Sequence, residues 1–143
     1  MRRSLELPEP EGDYELRPAD VLSHDWLESI PNDRPTLIIA EGLVMYLKPE
    51  DGLSVFKRLA KNFEAVGEQI LCDLAGYWMV AKQEGNPTLR MAEMYWAVDD
   101  PETIVNAVRQ DGCRGFRLAK EQRTEAMSEN YSPDIPFRSR FFL

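Results

Sequence analysis

Two short apolar runs, TLIIA at 36–40 and EQILCDL at 68–74, flank one amphipathic stretch, and that spacing leaves few folds open. TLIIA is β-branched and apolar on both faces, as a central parallel strand is. EQILCDL is again apolar and again ends near an acid, Asp73. Between them lies KPEDGLSVFKRLAKNF. Pro49 suits a first helical turn, and Glu50 and Asp51 suit the positive end of a helix. Leu53, Phe56, Leu59, Ala60 and Phe63 share one side, with Lys57, Arg58 and Lys61 elsewhere, which predicts a helix covering a sheet.

The flanking chain continues the alternation. YELRPADV at 14–21 reads as a short strand ending near Asp20, and SHDWLESI at 23–30 as a short helix. Asp25 is its expected N-cap, with Glu28 as capping-box partner. PNDRP at 31–35 is a loop. AGYWMVAKQ at 75–83 begins a helix, and NPTLRMAEMYWAV at 86–98 is ambiguous, with helix one option. DDPETIVNAVRQDG at 99–112 is the clearest helix. Asp100 caps it, Pro101 opens it, Ile104, Val105 and Val108 face inward, and Gly112 ends it. GFRLAKEQ at 115–122 is a strand candidate, TEAMSENYSPDIP at 124–136 a loop, and FRSRFFL at 137–143 a final strand. Residues 1–7 read as the end of a helix, followed by a PEPEGD loop. Alternating strands and helices predict a parallel α/β sheet with helices on both faces.

Composition narrows the partners. The chain has 143 residues, enough for one domain with a real core, and the domain expected is a single one over 1–143. A formal net charge of −8 argues against nucleic acid and anionic membranes. No apolar run reaches the ~20 residues of a membrane helix, and MRRSLELPEPEG has no apolar signal core. Cys72 and Cys113 form no CxxC pattern and read as reduced thiols, so the expected compartment is the cytoplasm.

In open α/β sheets ligands sit at the carboxyl ends of the strands, so the acids there are the candidates. Glu41 is either a structural acceptor for a nearby loop or an acceptor for a cationic or hydroxylated ligand, with Gly42 allowing close approach. Asp20 is either a turn former or a partner for an adenine amino group. Asp73 reads as a helix N-cap. His24, the only histidine, is either solvated or a general base. Tyr46 is a second weak candidate for base. Tyr77, Trp78, Tyr95 and Trp96 could line an apolar pocket, although core packing is the commoner fate of such residues. One histidine and two separated cysteines disfavour a metal site. No GxSxG, GxGxxG or GxxxxGK[ST] occurs.

The run TLIIAEGLVMYLKPED, with Arg34–Pro35 before it, resembles the strand-four signature of the leucine carboxyl methyltransferase family, in its bacterial, polyketide-type branch. RPADVLSHDWLESIP, EQILCDLAGYW and YWAVDDPETIV are similar to further tracts of that family. The resemblance implies a Rossmann-like class I methyltransferase sheet of order 3-2-1-4-5-7-6, with S-adenosylmethionine as cofactor. It implies that Asp20 and Val21 contact the adenine and that Glu41 faces the methionine part. It also implies an N-terminally truncated sheet, because the family's Gly-rich loop after strand one and the acid ending strand two have no counterpart here.

Three functional expectations follow. The first is an S-adenosylmethionine-dependent O-methyltransferase portion acting on a carboxylate or hydroxyl of a small molecule. The alternative is a non-catalytic protein that self-associates through open sheet edges. A third, an unrelated α/β enzyme without cofactor, is the remaining option. Losing strands one and two would leave two apolar edges open, an association hazard.

Overall fold

The computed structural model describes residues 12, 15–83, 92–123 and 139–142. In chain order the elements are α1 (Asp25–Glu28), β1 (Thr36–Ala40), a 3-10 turn (Val44–Tyr46), α2 (Pro49–Phe63) and β2 (Glu68–Leu74). They continue with α3 (Tyr77–Lys82), α4 (Glu102–Gln110), β3 (Lys120–Arg123) and β4 (Ser139–Phe142). The expected helix over 1–7 and loop over 124–136 fall outside the described residues.

The four strands form one sheet of order β1-β2-β4-β3. β1 and β2 run parallel, with Ile38 opposite Ile70 and Ala40 opposite Cys72. β4 is antiparallel to both β2 and β3. The sheet is therefore mixed rather than parallel throughout. A purely local alternation of β and α units cannot reveal this, because β4 pairs with a strand more than sixty residues earlier.

α2 starts and stops as its chemistry dictates. Lys48 is extended, Pro49 opens the first turn, and Glu50 and Asp51 sit at the positive end. At the far end the N–H groups of Val66 and Gly67 both donate to the Phe63 carbonyl, and Gly67 takes φ +89°. Such a left-handed residue closes a helix at low cost when it is glycine. The Gly67 carbonyl then accepts from Thr36 N–H, which starts the β1–β2 ladder. α4 stops in a related way, with Gly112 at φ +117° donating to the Arg109 carbonyl. At its start Pro101 rather than Asp100 occupies the cap position and Glu102 opens the helix, while the Asp100 carboxylate accepts from Glu102 N–H just ahead of it.

One face of the sheet carries the core. Ile70, Cys72 and Leu74 of β2 pack with Val55, Phe56, Leu59, Ala60 and Phe63 of α2 and with Ile104, Val105 and Val108 of α4. Leu27 of α1 joins them. A smaller, separate cluster joins Met45 of the 3-10 turn, Ala75 just after β2, Met79 of α3 and Met94. β1 itself is covered on one side only: Leu37 and Ile39 are 59% and 63% exposed. The expectation of helices on both faces therefore fails over β1.

Three local readings are corrected. Residues 15–20 form no strand. A strand needs a neighbour to pair with, and Pro18 lacks an N–H to offer one. The Arg17 guanidinium instead bonds the Ser29 carbonyl and hydroxyl, at 3.1 and 2.7 Å. Asp25 is the first residue of α1 rather than its cap; His24 occupies that position with no side-chain cap bond. The strand expected at 115–122 begins only at Lys120, because β3 exists where it meets β4. Among the described residues no helix is long and apolar enough to cross a membrane.

Candidate functional site

The chain leaves β1 through Glu41 and Gly42. Gly42 has φ +63°, in the left-handed region, and no atom lies within 4 Å of where a Cβ would be. Conformation rather than crowding therefore calls for glycine here. The turn brings the Gly42 N–H to the Asp73 carboxylate, 2.7 Å away. Asp73 is 3% exposed, and a bond between a buried carboxylate and an amide is among the stronger kinds. Asp73 thus ties the loop after β1 to the carboxyl end of β2. It does not cap α3, as the sequence suggested; Gly76 holds that position, and the Asp99 carboxylate accepts from Tyr77 N–H at 2.9 Å.

Glu41 is left on an exposed rim. A depression of about 60 Å³ opens there, lined by Ile39, Ala40, Glu41, Leu71, Cys72 and Asp73. The larger cavity, about 390 Å³, lies at the amino ends of the strands beside Glu64, Glu68 and Cys113, away from these acids. Beyond the rim, the Met45 carbonyl accepts from the N–H groups of both Tyr95 and Trp96. Gln83 clamps Met94 through two bonds, of 2.8 and 2.7 Å. This lattice holds Tyr46, Tyr77, Trp78 and Tyr95 as exposed aromatics on the segments around the carboxyl ends of the strands. Trp96 turns inward instead, edge-on to Phe56 with ring centroids 6.3 Å apart. Of the four expected pocket aromatics, one is core.

Asp20, Val21 and His24 belong to a separate turn ahead of α1. Asp20 accepts from Leu22 N–H at 2.9 Å and its carbonyl accepts from Ser23 N–H, so it does form the turn. Arg58 on α2 holds this turn from below, donating to the carbonyls of Ser23 and Val21 at 2.8 and 3.0 Å. The Val21 side chain packs against the core. His24 is exposed. The structure thus brings Glu41 and Tyr46 to one end of the sheet and keeps Asp20, Val21 and His24 together on another segment. Among the described residues the rim depression is lined by neither Asp20 nor Val21.

Asp73 was read as a helix cap, and Asp99 had no part in the sequence reading. The available signal was parity: Asp73 alternates with the core residues Cys72 and Leu74, so it faces the other side of the sheet. Among the described residues no group of three His, Cys, Asp or Glu is placed to hold a metal.

Both cysteines are free and buried. Burial, reinforced by the neighbouring Asp73 carboxylate, pushes the Cys72 thiol up to about 12. Thiolate is the reactive form, so labelling of native Cys72 by a disulfide reagent near pH 8 should run ~10³-fold slower than in urea. Rapid reaction of two thiols in the native chain would contradict this burial.

No family model matches the chain. Over 108 residues, 74% of this chain, it is 30% identical to the tetracenomycin polyketide synthesis O-methyltransferase TcmP of Streptomyces glaucescens. Over 112 residues, 72% of this chain, it is 30% identical to the S-adenosyl-L-methionine-dependent methyltransferase dpfgK of Gibberella zeae. The chain is related to methyltransferases. It spans about two-fifths of the length of these curated relatives, 39% and 38% respectively. The mixed sheet, with its parallel β1–β2 pair, is compatible with a methyltransferase fold.

Proposed function

We propose that these residues supply part of the S-adenosyl-L-methionine site of an O-methyltransferase, of the polyketide-type branch of the leucine carboxyl methyltransferase family. The observation that carries this reading is Glu41. It stands on an exposed rim at the carboxyl end of a parallel strand, fixed by the Gly42–Asp73 bond, in a chain similar to two methyltransferases. The strand order β1-β2-β4-β3 also supports it, matching the 4-5-7-6 portion of the sheet that the resemblance implies. On that mapping strands one, two and three have no counterpart among the described elements.

The donor set fits one end of the cofactor. An exposed carboxylate suits the methionine ammonium, and a backbone turn free of side chain at Gly42 leaves room beside it. Asp20 and Val21 take the adenine in this reading, the Asp20 carboxylate accepting from its amino group. Bound cofactor supplies an electrophilic methyl on a sulfonium. The protein's part is to hold an oxygen nucleophile in line with it, and positioning of this kind contributes roughly 7–11 kcal/mol. A carboxylate acceptor needs no base. A phenol needs one, and Tyr46, five residues beyond Glu41, is better placed than His24. The acceptor is a small molecule, and the compartment is the cytoplasm.

Calorimetric titration with S-adenosylhomocysteine tests the reading. Binding is expected in the micromolar range, weakened ~10–100-fold in Glu41→Ala and in Asp20→Ala, as loss of a charge-assisted bond implies. Circular dichroism checks that both variants fold. Equal affinity in the Glu41 variant would remove the assignment.

A further inference from the structure

Among the described residues no acid forms an ion pair with Arg58, and its Nε–H is buried without a hydrogen-bond partner. A half-buried guanidinium in that state is costly, so the bonds it does make carry what the residue does. Both go to the turn that holds Asp20. Nη1 donates to the Ser23 carbonyl at 2.8 Å and Nη2 to the Val21 carbonyl at 3.0 Å. A planar fork can hold two carbonyls at once, which the point charge of a lysine cannot do with the same geometry.

The Val21 carbonyl belongs to the peptide unit that joins Val21 to Leu22. That unit is trans, so its carbonyl and its N–H point in opposite directions from one rigid plane. Arg58 holds the carbonyl edge, and the Trp26 indole N–H donates to the same oxygen at 3.2 Å. The opposite edge, Leu22 N–H, donates to Oδ1 of the Asp20 carboxylate at 2.9 Å. A single peptide plane therefore separates the Arg58 guanidinium from the Asp20 carboxylate. A cation on the carbonyl also polarises the unit and makes its N–H a stronger donor. The carboxylate keeps lone pairs with which to accept from a ligand amino group.

We propose that Arg58 is a positioning residue for base recognition. By clamping the Val21–Leu22 peptide it sets the direction of the Asp20 carboxylate, so that the turn selects a purine bearing a 6-amino group. This inference rests on the reading of Asp20 as the partner of the adenine amino group.

Calorimetry with two probes tests it: S-adenosylhomocysteine, and its analogue with hydrogen in place of the adenine 6-amino group. The wild-type chain should prefer the first by ~10–100-fold, as a hydrogen bond to a charged group implies. Arg58→Met, which keeps an apolar stem, should lower that preference at least ~5-fold, within the range of coupling between groups in one network. Its affinity for the analogue should stay near wild type. Asp20→Ala should abolish the preference, and Arg58→Met should then add nothing. Lys57→Met, which removes the neighbouring cation on α2, should leave the preference unchanged. If the methionine variant does not fold, Arg58→Lys keeps the charge and loses the fork, with the same expectation. In the chain without ligand, the Leu22 amide proton resonance should move upfield in Arg58→Met, as its bond to Asp20 loosens. A preference lost in Asp20→Ala and kept in Arg58→Met overturns the proposal alone. So does equal weakening of both probes by Arg58→Met, the mark of a mere tether, or an unmoved Leu22 amide. A wild-type chain that binds both probes alike, or neither, sinks the adenine reading of Asp20 and the proposal with it.

Discussion

Gly52→Ala is expected to destabilise the chain by about 2 kcal/mol, and Gly52→Val by about 3 kcal/mol, as overpacking of a filled site does. The sign is the point of interest. In a solvated helix the change from Gly to Ala stabilises by roughly 0.5–1 kcal/mol, because glycine loses more backbone freedom. Gly52 lies in the first turn of α2 and is buried. A Cβ there would run into the Trp96 ring at Cζ3 and Cε3, with Cη2 at 3.1 Å. The indole has little room to give. Its backbone N–H is held by the Met45 carbonyl at 3.2 Å, and its ring lies edge-on to Phe56 at 68°. Thermal melting decides the matter. A Gly52→Ala chain that melts at or above the wild-type temperature would show that Trp96 is free to move, and the description of this contact would be wrong.

The second large effect is expected at Phe63. Its side chain is 1% exposed, within the cluster formed by α2, α4 and β2. Truncation to alanine should cost about 3–5 kcal/mol, the sum of lost transfer energy and the cavity left behind. Against a total stability of roughly 5–15 kcal/mol, that is enough to leave a marginal chain partly unfolded at room temperature. Phe63→Leu, which keeps most of the volume, should cost less than half as much. Urea unfolding of the three chains gives the comparison directly. A loss below ~1.5 kcal/mol for Phe63→Ala would mean that the α2 end collapses onto the space, and that Phe63 is no keystone of the core.

How far the sequence led can be argued residue by residue. TLIIA and EQILCDL gave β1 and β2 with matching boundaries, and α2 ran from Pro49 to Phe63 as its caps and periodicity require. These elements are legible because their signals are local: apolar runs, a proline, a glycine that must close a turn. The failures at the strands involve a distant partner, whereas the cap positions of α1 and α4 were missed locally by one residue. YELRPADV alternates like a strand but has no neighbour to pair with, and residues 15–20 stay irregular. β3 could not be placed to better than several residues because β4 decides where it starts. The site divides in the same way. Glu41 and Gly42 at a strand end were visible in sequence; that a buried Asp73, thirty-one residues on, holds Gly42 was not. Asp20 was visible too, and its side chain forms the turn that the plainer reading expected.

The sheet order also sets a timetable for folding. The place beside β2 belongs to β4, residues 139–142, and among the described residues β3 has no strand partner other than β4. β1, α2 and β2 can come together from neighbouring sequence, whereas β3 has nothing to pair with until β4 has been synthesised. Such long-range pairing is slow to form, and unpaired edges are hazardous while it waits. The assembling chain is therefore most exposed to wrong partners in the interval between β3 and β4, after the core residues of β1, α2, β2 and α4 exist and before the strand that fills the gap in its sheet has arrived.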